Sequence, residues 1–444
     1  MASVSPVSTP ISEPELSNPD VQDLVRDTLN TYISENGRCL YCDQLIGEER
    51  VPKTYCSDNC LAATTTIGVL LGLALTPGQD RSRAAMIGLR HTAAEKALNV
   101  MAVVITHCSH YRTRRETRKL FQHLQKGSSL KIIPRCLFMD TTGLHIEMEN
   151  WKKGGFGRVN KCRYHGQLVA VKYMLHHYDD DDNEVYRQFL YEVMLWKSIK
   201  HKRVLSLLGV VGRSPEVGMV SPLCEDNHVM NFLKPMVEHH ERFRWTRFYR
   251  IFVYRWIAEG LDHLHGEGIV HGDLHPWNIL VTRTRSESAN PFDVDILITD
   301  FGLSIYHEDN SGDNGSLRGG RPSFRAPELH NKRITGTTRP TQESDSFAWA
   351  ASAYNLFTTK IPYSDKYSLQ YGQSVIGDAI VEGELPSQTI GVKIGEIFYS
   401  VLMPNELWEI VTHCWKYPND RITVKEVIAR LKPMQREYLV DEMK

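Results

Sequence analysis

The chain has 444 residues, with 52 basic against 53 acidic side chains and a formal net charge of −1. That length exceeds what a single core organises, so two or three domains are expected. Balanced charge leaves no global field to draw in nucleic acid or a membrane surface. Nine cysteines, an odd number with four in paired spacings, fit a reducing compartment, cytoplasmic or nuclear, and a metal site.

In chain order, residues 1–35 are expected to form a disordered tail and a short helix. Ser5-Pro6, Thr9-Pro10, Glu13-Pro14 and Asn18-Pro19 break regular structure there, and the Met1 end lacks a basic-then-apolar secretion pattern. Residues 36–60 carry Cys39-Leu40-Tyr41-Cys42 and, after thirteen residues, Cys56-Ser57-Asp58-Asn59-Cys60. Two thiolates separated by two or three residues reach one Zn²⁺, and two such pairs complete a tetrahedron with no position left for water. The expected ion is therefore structural. Tyr55-Cys56-Ser57 with Cys60 resembles the second half of treble-clef zinc fingers, where the last ligand begins a helix. Free thiols in an unstructured segment are the alternative.

Residues 61–127 read as helix. Leu61 to Leu75 is apolar but shorter than the roughly 20 residues a membrane span needs, and Thr64, Thr65, Thr66, Gly68 and Gly72 dilute it; a buried helix is expected. Thr76-Pro77-Gly78 breaks the stretch, and Met86, Leu89, Ala93, Leu98, Met101, Val104 and Ile105 recur at helical spacing. His107, Cys108 and His110 are expected on a helix as packing or surface residues, lacking a second ligand pair. Arg112, Arg114, Arg115, Arg118 and Lys119 read as a solvated helix face; without interleaved aromatics, nucleic acid is a weaker reading. Gly127-Ser128-Ser129 opens a linker over 128–140.

From 141 to 436, strands come first and then mostly helices. Lys153-Gly154-Gly155-Phe156-Gly157-Arg158-Val159 offers glycines that let backbone approach phosphate oxygens, although such turns also occur at ordinary hairpin tips. Thirteen residues past Val159, the strand Leu168-Val169-Ala170-Val171 ends in Lys172. A lysine leaving a buried strand needs a counter-charge, and Glu192, beside the inward-facing Phe189, Val193 and Trp196, is the candidate; Glu184 and Glu216 lie in polar surroundings. Asp179 to Asp182 reads as a solvated loop and helix start.

The apolar positions Ile251, Tyr254, Ala258, Leu261 and Leu264 mark an amphipathic helix stopping at Gly266 and Gly268. His271-Gly272-Asp273-Leu274-His275-Pro276-Trp277-Asn278 follows, then the strand Ile279-Leu280-Val281. Asp273 and Asn278 stand five residues apart, and Asp300-Phe301-Gly302 ends the strand Ile296-Leu297-Ile298. An acidic base with an amide and a carboxylate for Mg²⁺ is the set phosphoryl transfer from ATP requires.

Together these motifs resemble the eukaryotic protein kinases, closest to the tyrosine-kinase-like group of Ser/Thr kinases. The resemblance implies a bilobal α+β fold, with a small five-stranded lobe and a larger helical lobe, that phosphorylates protein substrates. It implies Asp273 as base, Lys172 and Glu192 as the phosphate-gripping pair, and Asn278 and Asp300 as Mg²⁺ ligands. The ATP pocket would comprise Lys152, Gly154, Gly155, Phe156, Gly157, Val159, Ala170, Ser221 as gatekeeper, and the hinge Pro222-Leu223-Cys224. Glu328, in Ala326-Pro327-Glu328, is expected to pair with Arg421, and Asp345 to orient the catalytic loop.

Four positions depart from the family pattern. Lys152 replaces the first glycine of the phosphate loop. Gly272 replaces the arginine that counters activation-segment phosphate, so activity is expected not to depend strongly on phosphorylation at Ser304, Ser311 or Ser316. His275 stands where a lysine steadies the γ-phosphate, and Arg321 where a threonine bonds the catalytic Asp. Arg318 and Arg321 offer charge to an acidic substrate or stay solvated. These departures keep open a second class, a pseudokinase that binds ATP as a scaffold or interaction module.

Overall fold

A computed structural model describes residues 21–36, 58–128, 133–154, 157–174, 182–213, 216–224, 228–232, 243–283, 294–307, 321–331, 333–334, 336, 338–367, 373–394 and 397–442. The chain divides into two compact units, Met1–Leu137 and Phe138–Lys444.

The first unit is helical among its described residues: α1 (Val21–Asn36), α2 (Asp58–Leu75), α3 (Asp80–Ile87), α4 (His91–His107) and α5 (Tyr111–Ser128). Every residue of α4 from Ala97 to Thr106 is buried, as a helix apolar on all sides must be. The glycines of α2 serve packing. A Cβ on Gly72 would lie 2.8 Å from Gln22 Cγ, and one on Gly68 3.2 Å from Leu29 Cδ1, so their absence lets α1 lie close. No helix among the described residues is long and apolar enough to cross a membrane.

Three expectations for this unit change. The apolar positions from Met86 to Ile105 do not share one helix: the chain leaves helix between Ile87 and His91, so Met86 lies in α3, Leu89 in the break, and the rest in α4. Cys108 and His110 lie between α4 and α5, not on a helix. Arg114 and Arg118 are buried instead of solvated: Arg114 Nη1 donates to the carbonyls of Cys108 (2.7 Å) and Ser109 (2.9 Å). Carbonyls just past a helix C-terminus attract a guanidinium, and this explains the burial. The described residues of the 128–140 stretch also carry structure. Ser128 still belongs to α5, Arg135–Leu137 forms a 3₁₀ turn, and the Arg135 amide donates to Asn99 Oδ1 at 2.7 Å.

The second unit begins with an antiparallel five-stranded sheet of order β1-β2-β3-β5-β4. Its strands are β1 (Leu144–Gly154), β2 (Gly157–Tyr164), β3 (Gln167–Met174), β4 (Gly209–Arg213) and β5 (Glu216–Pro222), with α6 (Asp182–Ser198) between β3 and β4. Cys162, Val169, Val171, Val211 and Val220 form its core. Alternation along β3 sends Val169 and Val171 to that core, and Ala170 and Lys172 to the opposite face.

A helical part follows. It contains α7 (Phe243–Gly266), β6 (Ile269–Val270), β7 (Ile279–Arg283), β8 (Val294–Ile298), β9 (Ile305–Tyr306), α8 (Pro327–His330), α9 (Gln342–Thr358), α10 (Gln373–Val381), the hairpin β10 (Thr389–Ile394) and β11 (Ile397–Leu402), α11 (Asn405–Cys414) and α12 (Val424–Glu442). The apolar spacing of α7 is realised in full, with Ile251, Tyr254, Ala258, Leu261 and Leu264 all buried. Around α9 the rest is packed, for each of its residues from Ser344 to Thr358 is buried. Its N-terminus is closed by a reciprocal capping pair of Thr341 and Ser344.

Candidate active site

Burial of α9 fixes the loop that carries Asp273. Asp345, near the start of that helix, is 1% exposed and accepts from three donors. They are the backbone amides of His271 (2.8 Å) and Gly272 (2.9 Å) and, at 2.9 Å, His265 Nε2. A buried carboxylate satisfied this fully sets the loop's path. Gly272 adopts φ +78°, and a Cβ there would lie 2.7 Å from the Leu303 carbonyl oxygen. Glycine at this position therefore admits the segment after Asp300 to close range. Below it, the Glu328 carboxylate and Arg421 form the expected buried pair, at 2.7 and 3.1 Å.

Lys172 leaves β3 opposite Val159 of β2 and meets two carboxylates. Its Nζ lies 2.8 Å from Asp300 Oδ1 and 3.4 Å from Glu192 Oε1. The contact with Asp300 is one the sequence did not suggest. Burial alone would lower the lysine's pKa, but the two carboxylates outweigh it and hold the ammonium above its ordinary value. Burial likewise acts upward on Asp300, and Lys172 reverses it to a net lowering. Glu192 goes up, since burial there exceeds the pull of the more distant lysine. Phe301 is buried between Trp196 and His271, at ring separations of 5.9 and 5.5 Å, and it anchors Asp300 at φ +68°.

Asp273 and Asn278 share one loop, as their spacing requires. Asn278 Nδ2 donates to the Asp273 carbonyl at 2.9 Å. This uses one of the amide's two N–H donors and leaves its oxygen as the acceptor. Burial first, and the negative charge of Asp300 second, push the Asp273 carboxyl up to about 7. His275 Nε2 stands 3.8 Å from Asp273 Oδ2, yet burial and the charge of Arg321 bring His275 down to about 4, so it is neutral at pH 7.

The donor set suits a hard divalent ion. Asp300 and Asp273 are acidic groups whose mutual repulsion a cation would relieve, and Asn278 presents an amide oxygen. Mg²⁺ characteristically takes one or two carboxylates and completes its shell with phosphate and water. No group of three or more His, Cys, Asp or Glu that could hold a metal occurs among the described residues. Cys39, Cys42 and Cys56 lie outside those residues, and Cys60 falls in the first turn of α2.

The remaining predicted positions are placed as follows. Gly154 and Gly157 pair at the tip of the β1–β2 hairpin and Lys152 pairs with Val159, so Lys152 belongs to a strand; Gly155 and Phe156 lie outside the described residues. Ser221 is buried opposite Ala170 in the β3–β5 register. The Leu223 amide donates to the Leu168 carbonyl at 3.1 Å, and Cys224 is buried.

Ser304 departs from its expected role as an activation-segment phosphate acceptor. It is 3% exposed and its hydroxyl donates to the His271 carbonyl. Ser311, Ser316 and Arg318 lie outside the described residues. Arg321 stacks on Trp277, with its guanidinium carbon 4.0 Å from the ring centroid. Sequence reasoning missed Arg325, whose charge also acts on Asp273, and the packing of His275, Trp277 and Phe324 rings. The signal for the latter was Trp277 inside the catalytic motif.

A five-stranded sheet joined to a helical part, with a strand lysine held by a helix glutamate and an Asp–Asn loop facing a second Asp, defines the protein kinase fold. The chain belongs to the protein kinase family: the family model for the protein kinase domain matches residues 149–431. It is 26% identical over 292 residues to the probable serine/threonine-protein kinase gdt2 of Dictyostelium discoideum, covering 66% of this chain and 16% of that protein. To the human receptor-interacting serine/threonine-protein kinase 1 it is 26% identical over 313 residues, 67% of this chain and 42% of the relative. The serine/threonine-protein kinase STY17 of Arabidopsis thaliana is 23% identical over 340 residues, 74% and 53%. The matches thus span little more than half of these relatives' own length at most.

Proposed function

We propose that this protein transfers the γ-phosphoryl group of ATP to Ser or Thr hydroxyls of protein substrates in intracellular signalling. One observation carries the reading: Lys172 is held between Glu192 and Asp300, while Asp273 stands beside Asn278 with a carboxyl tuned to about 7. A base that titrates near the working pH takes a proton efficiently.

In the reaction, the acceptor hydroxyl's proton passes to Asp273 as its oxygen bonds to the γ-phosphorus. The bond from that phosphorus to the β–γ bridging oxygen breaks, and ADP leaves with the electron pair. Lys172 holds the α- and β-phosphates, and the end of the β1–β2 hairpin where Gly154 pairs with Gly157 covers them. Ala170 packs on the adenine, and Leu223 and Cys224 offer backbone groups to its edge beyond Ser221. Asn278 and Asp300 are the ligands for Mg²⁺, which when bound neutralises charge on the phosphate oxygens. Serine/threonine choice rests on the names of the relatives and on Pro276.

Radiolabel transfer from ATP to a generic protein substrate tests this, with Asp273→Asn as the control. Signal lost in the variant supports the enzyme. Equal signal in both removes it, and tight ATP binding without transfer assigns an ATP-binding scaffold.

For the amino-terminal unit, we propose that Cys39, Cys42, Cys56 and Cys60 hold one structural Zn²⁺ in a treble-clef-like arrangement. Their paired spacing and a helix beginning at Asp58 support it. Native mass spectrometry should find one zinc per chain, lost in a Cys39→Ser, Cys42→Ser variant. Intact protein without zinc overturns it.

A further inference from the structure

Phosphoryl transfer places negative charge on the equatorial oxygens of the moving group, and fixed cations aimed there lower the barrier. The moving group must lie within bonding distance of the acceptor oxygen, and that oxygen must lie within hydrogen-bonding distance of Asp273. A cation that serves the transfer therefore has to stand beside Asp273.

The catalytic loop itself supplies none. His275 is 7% exposed and its ring packs edge-on against Trp277 and Phe324, at 5.8 and 6.0 Å. Lys172 is already engaged by Glu192 and Asp300. The charges that favour the Asp273 carboxylate come instead from Arg321 and Arg325. Arg325 is partly committed elsewhere, since its Nη2 donates to the Leu329 carbonyl at 2.8 Å. Arg321 is an exposed residue whose guanidinium carbon lies over the indole of Trp277, 4.0 Å from the ring centroid. That indole belongs to the Asp273–Asn278 loop and adjoins His275, which in turn is 3.8 Å from Asp273. Stacking orients a planar guanidinium and leaves its N–H edge available to oxyanions.

We propose that Arg321 is the cation that contacts the γ-phosphate of ATP in this protein, so that the charge comes from the segment before α8 and not from the Asp273 loop. The inference rests on the proposed phosphotransfer, because it assigns Arg321 a role in that same site. Arg321 is then a catalytic residue, Trp277 is the platform that positions it, and His275 fills space beneath.

The test uses the full chain with four proteins: wild type, Arg321→Lys, Arg321→Met, and Arg321→Met combined with His275→Lys. Calorimetry gives Kd for ATP and ADP with Mg²⁺, and a transfer assay gives kcat and peptide KM. Arg321→Met should weaken ATP about tenfold while leaving ADP unchanged, and lower kcat on the order of 100-fold. Arg321→Lys should recover part of both losses, as should His275→Lys in the methionine background if that variant folds. Unchanged ATP and ADP affinities in Arg321→Met overturn the proposal, and so does an equal loss of both. A raised KM for an acidic peptide at unchanged kcat assigns Arg321 to the substrate's side chains and also overturns it. Should wild type bind ATP but transfer nothing, the ATP-over-ADP preference and its loss in Arg321→Met still support the contact, while the enzymatic reading alone fails. A protein that binds no ATP overturns both.

Discussion

The Ser304 hydroxyl donates to the His271 carbonyl at 2.8 Å, tying the segment after Asp300 to the loop that carries Asp273. Both residues are buried, so this serine is a structural bolt. Ser304→Ala should cost about 1 kcal/mol and lower the melting temperature by a few degrees, with transfer reduced in proportion to loop disorder. Ser304→Asp would bury an unpaired charge and should cost more. Alanine at Ser311 and Ser316 together should leave transfer within roughly twofold of wild type, because Gly272 supplies no counter-charge for phosphate. Thermal denaturation of the first two variants and a transfer assay on the third check these outcomes.

Gly272 provides a second test of the same joint. Its φ of +78° and the Leu303 carbonyl oxygen, which would lie 2.7 Å from a Cβ there, both penalise a side chain. Gly272→Ala should lose about 1–3 kcal/mol and more than tenfold in kcat, since the displaced loop carries Asp273. Gly166 has φ +80° with nothing within 4 Å of a built Cβ. Gly166→Ala should therefore cost only about 1 kcal/mol, with kcat intact. Equal losses in the two variants would refute the role given to the Leu303 contact.

The Lys172–Glu192 pair was legible because each residue sits at a fixed period in its own element, Lys172 at the end of an apolar strand and Glu192 on an inward helix face. Asp273 and Asn278 were legible because one short loop holds both. A contact in which at least one partner lies on an irregular segment follows no period. For that reason the 2.8 Å contact of Lys172 with Asp300, the stack of Arg321 on Trp277 and the burial of Ser304 appeared only in three dimensions. In the helical unit, charge misled: a run of arginines resembles a solvated face until helix-end carbonyls draw Arg114 inward.

The Asp273 carboxyl makes the protein's pH behaviour specific. With burial and Asp300 lifting it to about 7, it is protonated below that pH and unable to accept the hydroxyl proton. The rate constant kcat/KM should rise tenfold per pH unit below about pH 7 and level above it. Stability moves the other way. The folded state holds a proton that the unfolded chain releases near the ordinary aspartate value of 3.8. The cost of the buried carboxylate accordingly grows between about pH 4 and 7 and is complete above it. Asp273→Asn should abolish transfer yet stabilise the protein by on the order of 1–2 kcal/mol at pH 8, with no gain at pH 4. Denaturant titrations of both proteins at the two pH values check the sign.

Lys172 bonds both Asp300 and Glu192, so its removal tests how far the lysine proposed to bind phosphate also holds the fold. Lys172→Met leaves Glu192, 4% exposed, and Asp300, 31% exposed, without their ammonium. A loss of about 2–3 kcal/mol is expected at pH 8, below the usual range for a fully buried pair because Asp300 retains water. At lower pH the loss should shrink, because burial already raises Glu192 and a protonated glutamate needs no partner. Adding Glu192→Gln to Lys172→Met should therefore restore much of the stability at pH 8 while leaving ATP binding absent. Recovery of stability without recovery of ATP binding would separate the lysine's two tasks, since only the phosphates require the ammonium itself.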